Sequence, residues 1–175
     1  MITWKKYFVY LADYQHWAND VLFSAVDYLD DPARHSPQGL FFDSIHHTTD
    51  HMLSVNRLWM ARLKHENQMF PPFNKIMYPE WRELKNALRQ EVRSMQHWLE
   101  AQPEGFFEER LAYTSTDNQA RDNWMRDVLT QMMNHMTHHR GQISAVATRL
   151  GAPAPEMDYL YYKRETDERL EHIKK

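Results

Sequence analysis

Residues 125–150 run Met-Arg-Asp-Val-Leu-Thr-Gln-Met-Met-Asn-His-Met-Thr-His-His-Arg-Gly-Gln-Ile-Ser-Ala-Val-Ala-Thr-Arg-Leu. Met125, Val128, Met132, His135, His139, Ile143, Val146 and Leu150 recur at steps of three and four, which puts them on one face of a helix of about seven turns. Gly141 is the single helix-weakening residue in the stretch, and two histidines occupy positions on its apolar face.

The same periodicity recurs upstream. Four glycines and eight prolines fall almost entirely in clusters, and between the clusters lie stretches 1–31, 40–70, 80–102 and 106–150. In the first, Tyr7, Tyr10, Tyr14, Trp17, Val21, Ala25 and Tyr28 form the stripe an amphipathic helix buries. In the second, Ile45, Thr48, Met52, Val55 and Trp59 form a ridge with His51 and Leu58 beside it. The third is the cleanest: Trp81, Leu84, Leu88, Val92, Met95 and Leu99. Residues 112–121, rich in Thr, Ser, Asp and Asn, lack helical period and read as a loop or small hairpin, with Asp122 as N-cap of a helix over about 122–150. Gly151-Ala-Pro-Ala-Pro155 ends that helix, and a shorter tail helix from about Met157 packs back on the rest. The expected fold is all-α, an antiparallel four-helix bundle with a short C-terminal helical tail, built as one domain over residues 1–175.

Composition narrows the chemistry. With 21 basic and 24 acidic residues the net charge is -3, without the positive excess that nucleic-acid binding needs. Cysteine is absent, which excludes disulfides, thiolate metal sites and cysteine nucleophiles; a metal must be held by oxygen or by some of the eleven histidines. Charged residues precede any apolar run and the mean hydropathy is -0.78, so no signal peptide or membrane span is expected, and the location expected is the cytoplasm.

His135 and His139 lie one helical turn apart, a spacing at which two imidazoles ligate one ion. A lone core histidine is more often a hydrogen-bonded packing residue. Two on one stripe each need partners for two nitrogens in an apolar setting, which makes that reading harder. A third ligand has to come from a facing helix, and the second stretch carries His46, His47, Asp50 and His51; His51 is in register with Val55 and Leu58 and so can face inward. His47, one turn earlier, is open to four roles: a fourth ligand, a hydrogen-bond donor behind a ligand, an acid-base residue, or a solvated neighbour at the bundle mouth. His138 lies about 60° from His135 on the helical wheel, so spacing alone also permits a His135–His138 pair. Asn134, Gln142, Asn56 and Asp50 are candidate acceptors for the second N–H of a ligating imidazole, although ordinary structural hydrogen bonds are the commoner fate of Asp50 and Asn56. Tyr14 and Trp17 are candidate pocket walls, with core packing the commoner role. Other templates fail: His65-Glu66 is followed by Asn67, Gln68 and Met69 rather than completing His-Glu-x-x-His, and no Glu is followed by His at the third position, as di-iron bundles require.

Several motifs together resemble the DinB family of small metal-binding four-helix bundles, related to YfiT-like proteins. They are Tyr14-Gln-His-Trp-Ala-Asn19, Ser44-Ile45 through Asp50-His51-Met-Leu, Asn56-Arg57-Leu58-Trp59, Asn134-His135-x-x-His138-His139-Arg140-Gly141-Gln142, and Pro153 to Pro155 followed by Asp158-Tyr159-Leu160-Tyr161. The resemblance spans nearly the whole chain. It implies a metal triad of His51, His135 and His139, a homodimer, and nickel, zinc or another divalent ion such as iron or manganese. Asp50 stands where Asn would be expected and His47 where a small residue is usual, which leaves the role of His47 open.

Three neutral histidines leave a divalent ion its full charge and at least one open position. The function expected is that of a metal-dependent enzyme on a small-molecule substrate, a hydrolase or a transferase using a low-molecular-weight thiol, with neither nucleic acid nor membrane as partner. The rival is a non-catalytic, stress-related bundle with a structural metal that acts through protein interaction. A fourth protein ligand would favour that rival; an open position would favour catalysis.

Overall fold

In a computed structural model, which describes residues 2–66, 72 and 75–173, the chain forms six helices and one hairpin. These are α1 (Trp4–Val26), α2 (Asp31–His35), α3 (Ile45–Leu63), α4 (Trp81–Ala101), a 3-10 turn over Glu104–Glu108, β1 (Arg110–Thr114), β2 (Ala120–Trp124), α5 (Met125–Arg149) and α6 (Tyr159–Ile173). Within the second long stretch, residues 67–70 lie outside the described residues, as do Pro71 after it and residues 174–175 of the tail.

The stripe read from residues 81–99 is buried throughout on α4. On α5 the expected face also turns inward, with His135 and Leu150 half-buried and the rest buried. The side chains of Thr3, Asp30 and Ser44 cap α1, α2 and α3, each accepting a backbone N–H three residues on.

Helices α1, α4, α3 and α5 form a closed ring of packed neighbours. Trp81 and Lys85 reach Asp27, Arg89 reaches Asp20, and Lys5 donates to the Gln102 carbonyl, so α1 and α4 run antiparallel. His51 meets His135 and His139 while Trp59 shares a cleft with Val128, so α3 and α5 are antiparallel too. The other two neighbouring pairs run in the same direction. Arg126 lies over Trp4 and Arg140 reaches Gln15 and Asn19 between α5 and α1; His46 faces Trp81 and Arg57 pairs with Glu91 between α3 and α4. The bundle is therefore all-α as expected, but not antiparallel at every contact, because the connection between Leu63 and Trp81 is long enough to return the chain to the starting end.

Two expectations are corrected and one is resolved. On α1 the buried residues are Phe8, Ala12, Tyr14, Gln15, Ala18, Asn19, Leu22, Phe23, Ala25 and Val26; of the expected stripe Tyr14 and Ala25 are buried and Trp17 and Val21 half-buried, whereas Tyr7, Tyr10 and Tyr28 are 41%, 47% and 75% exposed. Apolar residues surround α1 on several sides, and its true inner face carries two polar residues that hydropathy counts against it. Those two accept from the buried Arg140 guanidinium, which also donates to Thr137 Oγ1 at 3.0 Å and lies 5.4 Å from the Tyr14 ring. Asp122 is not an N-cap: it sits in β2 opposite Ala112, and α5 starts at Met125, whose N–H donates to Glu109 O. Residues 110–124 choose the hairpin of the two forms expected, with Thr114 paired to Ala120.

Leu88 is fully buried, while Arg82 on the same helix is exposed. Leu88→Ala is expected to lower stability by about 2–5 kcal/mol in denaturant unfolding, and Arg82→Ala to stay within about 0.5 kcal/mol of the parent.

Candidate metal centre

Ser44 sets the start of α3, and the helical period then carries His51 to the face turned toward α5. The antiparallel run of α5 presents His135 and His139, one turn apart, at the same level. One nitrogen from each of the three imidazoles lies within 4.8 Å of the others. Ring centroids stand 5.2 Å (His51–His135), 5.0 Å (His51–His139) and 4.4 Å (His135–His139) apart.

The donor set suits a cation. His139 Nε2 and His135 Nε2 are 3.1 Å apart, close to the roughly 3.3 Å between two nitrogens each about 2.0–2.1 Å from a tetrahedral ion. Gln142 Oε1 lies 2.8 Å from His139 Nδ1 and accepts its hydrogen, which leaves Nε2 with its lone pair toward the cluster. Burial, then the neighbouring imidazoles, hold His51 down to about 3 and His135 to about 4. Burial also lowers His139, against the raising effect of Gln142. All three are neutral at physiological pH, the form that ligates a metal. The group contains no carboxylate, so an ion held there would keep its full positive charge.

Phe42 was not anticipated from the sequence. Its ring stacks on His51 at 3.8 Å and 24°, and stands 5.5 Å from His47 and 6.1 Å from His139. The loop that carries it is tied at both ends: Gln38 N–H donates to Asp43 O at 2.7 Å, and Arg149 donates to Gln38 O and Oε1. Asp43 takes the left-handed backbone conformation at φ 59, which turns the chain from the loop into the Ser44 cap. Phe42 lies among breakers where no periodicity operates; two adjacent phenylalanines in a loop were the one available signal.

The other candidates separate cleanly. His47 is half-buried beside Phe42 and lowers the pKa of His51, but it is not in the three-nitrogen group. His138 is exposed, with its ring 5.0 Å from that of His139, and is likewise outside the group. His46 is buried elsewhere, stacked on His35 at 4.0 Å with Nε2 2.7 Å from Tyr78 O. Asp50 is a structural clamp: its carboxylate accepts the backbone N–H groups of Met77 and Tyr78, pinning the chain before α4 onto α3. Gln142 is the polar neighbour that orients a histidine of the group, whereas Asn134 is exposed. Tyr14 and Trp17 pack with Tyr162 of α6 in a cluster of their own.

The sequence model of the DinB family matches residues 1–171 of the 175-residue chain. Comparison with curated proteins gives no match. Among the described residues, no helix is long and apolar enough to cross a membrane.

The depressed histidines set a pH dependence in the metal-free protein. An unfolded histidine titrates near 6.5, so between that pH and the folded values of about 3 and 4 the unfolded chain binds more protons, and stability falls as the solution is acidified. In the presence of a chelator, the urea midpoint is expected to be lower at pH 5.5 than at pH 7.5, and the gap to narrow in a His51→Leu/His135→Leu variant.

Proposed function

Because the chain belongs to the DinB family, we propose that His51, His135 and His139 hold one divalent cation, nickel or zinc before iron or manganese, and that the protein is a metal-dependent enzyme acting on a small molecule. The observation that carries this reading is the convergence of three neutral imidazole nitrogens with His47 outside their group. Three protein ligands leave a coordination position for water or substrate, whereas closed structural sites use four.

A divalent ion bound there supplies Lewis acidity, able to acidify a coordinated water or thiol and to polarise a carbonyl. The chain's own residues do the rest. Gln142 fixes the His139 ring and its tautomer. Phe42 covers one face of His51 and keeps solvent from that side. The half-buried His135 is the ligand nearest solvent, which makes its side the entry. His47, beside Phe42, stands at the rim as a candidate proton carrier. This arrangement suits hydrolysis of a small ester or amide, or transfer from a low-molecular-weight thiol, better than a structural role.

Metal content by inductively coupled plasma mass spectrometry, on protein purified without an affinity tag, tests the assignment. About one equivalent of divalent metal in the parent, lost in both His51→Ala and His139→Ala, is the expected result. No metal after gentle purification, and none taken up when zinc or nickel is added, would sink it.

A further inference from the structure

On the side of the cluster away from Phe42, Asn56 of α3 lines a narrow crevice with Met52, Trp59, Met132, His135 and Met136. Asn56 is 3% exposed. Its amide nitrogen donates only to Met95 Sδ at 3.9 Å, and its Oδ1, fully buried, accepts no hydrogen bond. A buried acceptor left without a donor costs the whole desolvation of that group, so Asn56 Oδ1, beside the histidine cluster, calls for a donor from outside the chain. The crevice is closed, with no room for a water as it stands, so a ligand's donor reaches Asn56 only when the unbranched, adaptable methionines around it shift.

Trp59 is a shared wall. Beyond it lies a cleft of about 360 Å³ lined also by Tyr113 and Asn123 of the hairpin and by Asp127, Val128 and Gln131 of α5. That is the size of a small-ligand site. Asp127, Gln131 and His135 follow one another at single-turn steps along α5, so the cleft's far end lies about 12 Å along the helix axis from the histidine cluster. The aromatic wall is held in place: Tyr113 and Trp59 meet edge to face at 5.1 Å, and Arg62 covers both rings at 4.8 and 4.7 Å while donating to Thr114 O. Tyr113 donates its hydroxyl hydrogen to Asn123 Oδ1 at 3.0 Å. Of the residues lining the cleft, Asp127 alone is charged.

We propose that this seam between α3 and α5 is the recognition site for a small amine. The ammonium group sits against the Asp127 carboxylate, the flat apolar middle against Trp59 and Tyr113, and an O–H or N–H near the reacting atom donates to Asn56 Oδ1. The inference rests on the metal-centre reading for what happens at the His135 end; the amine recognition itself uses none of the three histidines.

Calorimetric titration of the full chain, zinc-loaded and zinc-free, with phenethylamine, tyramine and 3-phenylpropionate tests it. Both amines bind saturably, the carboxylate probe does not, and tyramine, which adds a hydroxyl donor, binds more tightly. Asp127→Asn weakens both amines by about tenfold, while Asn56→Leu removes only the advantage of tyramine. Absence of saturable amine binding, equal affinity for 3-phenylpropionate, equal affinity for the two amines, or indifference to Asp127→Asn overturns the proposal. Amine binding by a chain that takes up no metal supports the cleft and removes the metal reading; zinc uptake without amine binding overturns the cleft alone.

Discussion

Desolvation of three imidazoles at the seam between α3 and α5 is the constraint from which the rest of the molecule follows. Buried charge is expensive, so the three rings stay neutral, and neutral rings packed edge to face must find hydrogens or a cation for their nitrogens. The helices that bring them together are fixed by ordinary means. Ser44 caps α3, Asp50 pins the chain before α4, and the α4 stripe fills the core opposite. The registration of α5 depends on a less ordinary one. Arg140, next to His139, is buried against Gln15 and Asn19 of α1 and the Tyr14 ring, held by neutral oxygens and a π face rather than by an acid. Breaking such a contact strands a buried charge, so the arginine sets how α5 sits on α1 and, through the next residue, where His139 points.

What the sequence made legible tracks what periodicity can encode. Helix α4 has one inner face and one charged outer face, and its stripe was readable residue by residue. The α5 stripe was readable as well, and because His135 and His139 lie on it, so was the core of the site. His51 followed from angular register with Val55 and Leu58. The phase of α1 was only partly legible, since Gln15 and Asn19 face inward to meet an arginine 125 and 121 residues away, and of the four tyrosines in the expected stripe Tyr14 is buried while Tyr7, Tyr10 and Tyr28 lie outside. Helix direction was not legible either: stripes are the same read up or down, and only the contacts show that α3 and α4 run together. Phe42 and Asp50 act through tertiary contacts with no local pattern, and the family match covers residues 1–171 without distinguishing such roles.

The site has two unlike sides. Toward α2, Phe42 lies flat on His51, on a loop tied to the end of α5 through Arg149. Toward the hairpin, a closed crevice of methionines and Asn56 is separated by Trp59 from an open cleft in which Asp127 is the one charged lining residue. The two-stranded hairpin, too small to be stable alone, packs on the bundle, and its Tyr113 and Asn123 line that cleft.

The central claim, that three histidines hold a cation with a position left open, is most directly tested by the visible absorption of the cobalt(II)-loaded protein during titration with azide. The account predicts a d–d spectrum that changes saturably as azide enters the vacant position, and that is absent in His139→Ala. A four-coordinate tetrahedral spectrum that azide leaves unchanged would mean that a fourth protein ligand closes the site, and would contradict the account.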